Sequence, residues 1–199
     1  MTMMIKSINI IQAIYLNHMI KELSLICLTA MSMNLNNYQV LCDNSDLIIN
    51  ESKNHKIDYI DFISIMWNES RFINNITSNS GSCGIAQINP KYTEFWNKKN
   101  KNRKLEHKRV CSILSDEKIN IKIGIEKYGY WYHKYSRKNN DIAFCAYNYG
   151  FRCKNEKGKK IPDSVIKYVS NIKTFSRRFR RRLRFIQQQK KYKVHINKN

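Results

Sequence analysis

Glycine and proline are scarce in this 199-residue chain, with six Gly and two Pro. So low a content excludes collagen-like repeats, elastic linkers and the usual disordered composition. Acidic residues are also few, 15 against 36 Lys and Arg, which leaves a formal net charge of +21. No uncharged apolar run reaches the length of about 18 residues that a standard membrane-spanning helix requires. Alanine numbers only five, against 28 Ile and 24 Asn. Asn, Ile and Lys share AT-rich codons, so the diffuse lysines reflect coding bias and a solvated surface more than selection for an anionic partner. The cysteines are Cys27, Cys42, Cys83, Cys111, Cys145 and Cys153, and their spacings match no zinc ribbon and no CxxC redox pair. Cys145 and Cys153 are near enough for a local bridge; small buried apolar thiols are the other reading.

What is present is 42% hydrophobic residues, enough for a core. Residues 1–50 are the least domain-like. An apolar stretch from Leu23 to Met33 follows Lys21, and Ala30-Met31-Ser32 loosely fits a small-x-small cleavage site. It resembles an export signal, with translation starting at Met19 to account for the residues before it, although Glu22 is out of place. The alternative is an ordinary amphipathic helix. Removal of Cys27 with such a signal would leave at least one cysteine unpaired. Residues 34–56 are polar and Asn-rich and read as a linker.

From Ile57 the pattern is helical. Ile57, Ile60, Ile63 and Trp67 form one apolar stripe, with Asp58 and Asp61 early, where the helix dipole favours acids. Asn74–Gly84 is rich in turn formers and reads as a loop. Ile119–Ile125 alternates like a strand, but Ile121, Ile125, Tyr128, Tyr132 and Tyr135 continue at helical spacing, so a helix is expected. Asp141–Tyr147 is another short helix candidate. From Lys173 to Asn199 there are eleven Lys or Arg and no acid. There Phe175, Phe179, Leu183 and Ile186 share one helical face, and Arg177, Arg178, Arg180, Arg181, Arg182 and Arg184 occupy much of the rest. The expectation is a basic amphipathic tail, docked through its apolar stripe with the arginines outward.

The informative stretch is Trp67–Pro90, WNESRFINNITSNSGSCGIAQINP. Glu69 ends an apolar helix between Trp67 and Phe72, where burial disfavours the carboxylate and raises its pKa. A carboxyl kept protonated near neutral pH can give its proton to a glycosidic oxygen. Glu69, Ser70, Phe72, Ser78, Gly81, Gly84, Ile85, Gln87, Ile88 and Pro90 together resemble the catalytic segment of soluble-lytic-transglycosylase-type (SLT) enzymes. Three later blocks resemble the same family in the same order: Asn120-Ile121 with Gly124, Ala146-Tyr147-Asn148-Tyr149-Gly150, and Tyr168-Val169 after Ile161-Pro162.

The resemblance covers about residues 57–172. It implies a mainly α, lysozyme-like (α+β-derived) single catalytic domain with few or no strands, followed by the basic helix of 173–199. It implies Glu69 as the single acid/base. Ser78, Gly81, Gln87, Tyr147, Asn148 and Tyr168 become substrate-binding residues, with Tyr168 and Asn148 facing Glu69 across the groove. No metal and no cofactor are implied. Ala86 stands where the family commonly has Met, which predicts a wider sugar subsite, and Cys83 is placed to restrain the loop through a disulfide. No Asp or Glu lies between Glu69 and Glu94, so mechanisms needing a second nearby acid lose support. The implied reaction is cleavage of the MurNAc-GlcNAc bond of peptidoglycan with a 1,6-anhydro product, by a monomer. A hydrolytic muramidase of the same fold, an inactive wall-binding relative and a basic nucleic-acid-binding protein are the alternatives. The last leaves the four matched blocks unexplained. The implied place of action is the cell envelope or periplasm, or alternatively a phage virion or lysis system. The basic tail would meet an anionic wall polymer or a membrane surface.

Overall fold

The computed structural model describes residues 24–154 and 160–196, with side chains as far as Lys191. Eight α-helices occur among the described residues: α1 Leu25–Ser32, α2 Gln39–Asp43, α3 Ser45–Asn54, α4 Tyr59–Ser70, α5 Arg103–Leu114, α6 Glu117–Tyr130, α7 Asn140–Tyr149 and α8 Asp163–Ile196. Five of them start alike. The side chains of Ser24, Asp58, Asn102, Asp116 and Asn139 accept from the backbone N–H of Cys27, Ile60, Leu105, Ile119 and Ile142, respectively. Each satisfies a donor that the first turn leaves free, at a typical value of about 1 kcal/mol. Among the described residues there is no strand. Extended pairing is limited to the isolated bridges Thr77–Cys83 and Cys83–Ile88. The mainly α fold class therefore holds, and Ile119–Ile125 lies within α6 as the longer periodicity required.

The described residues form two compact units, one of those up to Ser45 with those from Arg182, the other of those within Asp46–Arg181. In Asp46–Arg181 the core includes Phe62, Ile63, Met66, Ile85, Leu114, Ile121 and Phe144. Tyr128 stacks on Phe144 at 5.6 Å and Trp67 on Phe175 at 5.2 Å. Phe179 is fully buried, and removing such a side chain from water contributes about 1.5–3 kcal/mol. Asp61 stands in the first turn of α4, as expected, and is also buried, with its Oδ1 accepting from Arg180 at 2.7 Å and from Ser176 at 3.0 Å. Arg180 also donates to Asp58 at 2.7 Å. This corrects the outward placement expected of Arg180: a buried carboxylate requires a partner, and this arginine supplies it. In the other unit Ile26, Leu41 and Leu183 are buried, and Arg182 donates to Ser32 Oγ at 2.8 Å.

Two expected boundaries move. The linker of 34–56 is largely helical, because Val40, Leu41 and Ile48 are buried, while Asn44, Ser45 and Asn54 sit at helix ends. The division at Lys173 falls inside α8, whose buried positions Val165, Ile172, Phe175, Phe179 and Leu183 run through it. Of the export reading, Met19, Lys21, Glu22 and Leu23 lie outside the described residues, while the rest of its apolar stretch and Ala30-Met31-Ser32 are described. Its described part is α1, in which Ile26, Cys27, Thr29 and Ala30 are buried and Met31 is exposed. No helix among the described residues is long and apolar enough to cross a membrane. All six cysteines are paired, as Cys27–Cys42, Cys83–Cys111 and Cys145–Cys153.

Candidate active site

The apolar face of α4 packs inward through Ile60, Ile63 and Met66 and carries Glu69 to the last turn. The helix then stops abruptly. Arg71 and Phe72 both adopt left-handed backbone, with φ of 55° and 62°, a conformation costing roughly 1–3 kcal/mol at a bulky residue. Two contacts hold it: Arg71 N–H donates to the Trp67 carbonyl at 3.1 Å, and the buried Phe72 ring lies 5.3 Å from that of Trp67. Ser70, next to Glu69, donates its hydroxyl to the Ile85 carbonyl at 2.7 Å. The helix end is thereby stitched to the far side of the loop that follows.

Loop 74–90 is fastened by buried polar groups. Asn120, in the first turn of α6 and fully buried, donates to the carbonyls of Cys83 at 3.0 Å and Leu114 at 2.9 Å, and accepts from Ala86 N–H at 2.8 Å. Gly84 (φ +76°) passes so close that a Cβ there would stand 2.6 Å from the Leu114 carbonyl and 2.1 Å from Asn120 Nδ2. Only glycine meets both requirements. Cys83–Cys111 ties the loop to α5, as the expectation of a restraining disulfide had it, and His107 Nε2 meets the Gly81 carbonyl at 2.8 Å.

Helices α4, α6, α7 and α8 contribute the side chains of Glu69, Lys127, Tyr147 and Tyr168. The Tyr168 hydroxyl, on α8, donates to Glu69 Oε1 at 2.5 Å. Tyr147, on α7, donates its hydroxyl to the Ala86 carbonyl at 2.9 Å. Lys127, on α6, sets its ammonium 4.2 Å from the centre of the Tyr147 ring. Burial raises the pKa of Glu69, and the Tyr168 hydrogen bond and the Lys127 charge oppose it, leaving a value of about 6. Burial likewise raises the Tyr147 and Tyr168 phenols well above their ordinary range, and the Glu69 charge adds to this. Burial pushes Lys127 down, with Glu69 opposing. A carboxyl so poised is protonated in a useful fraction near neutral pH and can both give and take a proton.

The family model for the transglycosylase SLT domain matches residues 46–169, more than half of the chain. The chain belongs to this SLT family. The structure is also similar to that of an inactive mutant of the lytic transglycosylase Slt from Pseudomonas aeruginosa, with a TM-score of 0.55 and 15% identity. That similarity covers 80% of this chain and 30% of the Pseudomonas chain, and at this identity it is a likeness of fold. Among curated proteins nothing matches.

The remaining positions of the SLT motif divide by role. Gln87 is buried, and its amide donates inward to the carbonyls of Gly84 at 2.8 Å and Ile76 at 3.3 Å, so its observed contacts brace the loop. Ser78 Oγ accepts from Ser82 N–H at 3.0 Å, which is a turn contact. Gly81 takes φ +80° beneath His107. Asn148 is exposed at the end of α7, and no described hydrogen bond joins it to Glu69. Ala86 is fully buried with its Cβ toward Gly124. The wider subsite expected from Ala86 is thus corrected: its methyl faces the core, and its carbonyl anchors Tyr147. Lys127 was missed in the sequence, where one lysine among many carries no signal. Cys83, His107 and Cys111 place donor atoms within 4.8 Å of one another, but the disulfide occupies both sulfurs.

Proposed function

We propose that this SLT-family chain is a lytic transglycosylase that cleaves the MurNAc-GlcNAc β-1,4 bond of peptidoglycan with Glu69 as its single acid/base. The observation that carries this reading is the half-buried Glu69 carboxyl, held by the Tyr168 hydroxyl at 2.5 Å and poised near pH 6. In the first step Glu69 protonates the bridging oxygen. The bond from that oxygen to C1 of the muramyl residue breaks, the N-acetylglucosamine side leaves as an alcohol, and positive charge remains at C1. In the second step the muramyl 6-hydroxyl attacks C1 and passes its proton to the Glu69 carboxylate. The product is a 1,6-anhydro end, Glu69 is reprotonated, and no water is consumed. The substrate's acetamido group is placed to share the charge at C1. No second carboxylate is required, in keeping with the acid-free stretch between Glu69 and Glu94.

Mass spectrometry of digested sacculi tests this directly. Anhydro-ended muropeptides, lighter by one water than their reducing-ended counterparts, are expected. Reducing ends alone would instead identify a muramidase of the same fold, and no cleavage would leave the binding alternatives. The cell envelope or periplasm, or a phage particle or lysis system, is where such a substrate is met. The exposed Arg177, Arg178, Arg181 and Arg184 supply a face for an anionic wall polymer or membrane surface.

A further inference from the structure

Among the described residues, Lys127 is the charged group at the Glu69 site that the reaction above leaves without a task. It lies in the last turn of α6, yet it does not reach for solvent as lysines ordinarily do. Its ammonium rests on the face of Tyr147, 4.2 Å from the ring centre. Tyr147 is itself immobilised, being buried and tied through its hydroxyl to the Ala86 carbonyl in the active-site loop. The seat is therefore fixed from both ends, and a cation over a desolvated ring gains back part of what it loses in leaving water. The charged and titratable groups around Glu69 and Lys127 are few. Helix α4 contributes Glu69, α7 Tyr147 and α8 Tyr168, while Glu126 beside Lys127 on α6 is exposed. The loop contributes none, since residues 72–90 contain no Asp, Glu, Lys, Arg or His.

We propose that Lys127 is a positioning residue for Glu69, an ammonium held on Tyr147 so that the Glu69 carboxylate is stable enough to exist between its two proton transfers. The inference rests on the transglycosylase reading and extends it. A carboxyl buried without a nearby cation becomes so weak an acid that it keeps its proton. A solvated one is ionised before substrate arrives. Glu69 must lie between these extremes, because the same oxygen pair first releases a proton to the leaving group and then recovers one from the 6-hydroxyl. Burial supplies the push upward; the Tyr168 hydroxyl supplies the larger restraint and the Lys127 charge adds to it. The influence is mutual: Glu69 favours the charged form of Lys127 that burial disfavours.

The test is a titration of the full chain that needs no peptidoglycan. The Glu69 carboxyl is followed by 13C NMR and assigned by its absence in Glu69→Gln. In Lys127→Met the Glu69 midpoint is expected to rise by about one pH unit, and in Lys127→Arg to return most of the way to the wild-type value. On sacculi, Lys127→Met should lower kcat by roughly tenfold with KM little changed, and should move the pH profile of kcat/KM in the same direction as the NMR midpoint. A Glu69 midpoint unmoved in a folded Lys127→Met protein overturns the proposal. Should that variant not fold, the reciprocal measurement decides. The Lys127 Nζ midpoint, read by 15N NMR, must fall in the near-isosteric Glu69→Gln protein, and an unchanged value overturns the proposal equally. Absence of cleavage by the wild-type chain would refute the transglycosylase reading, whereas the two titrations judge the Lys127–Glu69 linkage by themselves.

Discussion

The proposed reaction places opposed demands on the Glu69 carboxyl, and they are measurable separately. Its folded pKa of about 6 lies above the ordinary 4.5, so its contribution to stability is full below about pH 4.5 and is lost as the pH rises through about 6. Glu69→Gln, a neutral mimic of the protonated acid, should therefore gain about 2 kcal/mol over the wild type above pH 6 and nothing below pH 4.5. Urea unfolding at the two pH values reads this. The same variant should lose about two to four powers of ten in turnover, and near-normal turnover in the folded protein would remove Glu69 from the mechanism. Tyr168→Phe deletes a hydrogen bond that favours the carboxylate, so the decline of kcat/KM with rising pH should move to higher pH. A profile that stays in place would mean the bond does not set the proton affinity of Glu69. At this scale the sequence was readable where a motif spoke. Glu69 and Tyr168, 99 residues apart, meet as their family resemblance implied. Lys127 was not readable, because its meaning comes from the ring beneath it. Nor was Asp61, whose partner Arg180 lies 119 residues away.

Among the elements, loop 74–90 depends on contacts from outside itself more than on its own turns. Asn120 spends both ends of its side chain on the loop and on the end of α5. Asn120→Ala would strand buried backbone groups, each costing about 1–3 kcal/mol when unsatisfied. A loss of at least about 3 kcal/mol is expected by urea unfolding, with activity falling because the loop no longer holds the Ala86 carbonyl for Tyr147. A loss under about 1 kcal/mol would show that the loop is held elsewhere. Helix α6 was legible because five apolar and aromatic positions outweighed a short alternating run. Helices α2 and α3 were not, because in an Asn-rich chain the composition of a helix surface imitates that of a linker. Their stability comes from burying Val40, Leu41 and Ile48, which local sequence does not display.

Across the whole molecule, α8 belongs to the fold before it belongs to any surface. Phe175, Phe179 and Arg180 complete the Asp46–Arg181 unit, so deleting 174–199 would test folding and not targeting. The informative variant replaces the exposed Arg177, Arg178, Arg181 and Arg184 with Gln. It should sediment less with intact sacculi at low salt, differ little from wild type at high salt, and cleave small soluble muropeptides at the wild-type rate. Equal sedimentation at low salt would leave the basic face as solvated surface. The disulfide pattern has its own consequence at this scale. Six cysteines admit 15 pairings, and the one found joins the first to the second, the third to the fourth and the fifth to the sixth. No bridge encloses or crosses another. A chain emerging from its N-terminus into an oxidising medium can close each loop as soon as the second cysteine appears, before the next pair is presented. In such a medium vectorial oxidation alone would arrive at this set without passing through a wrong bond.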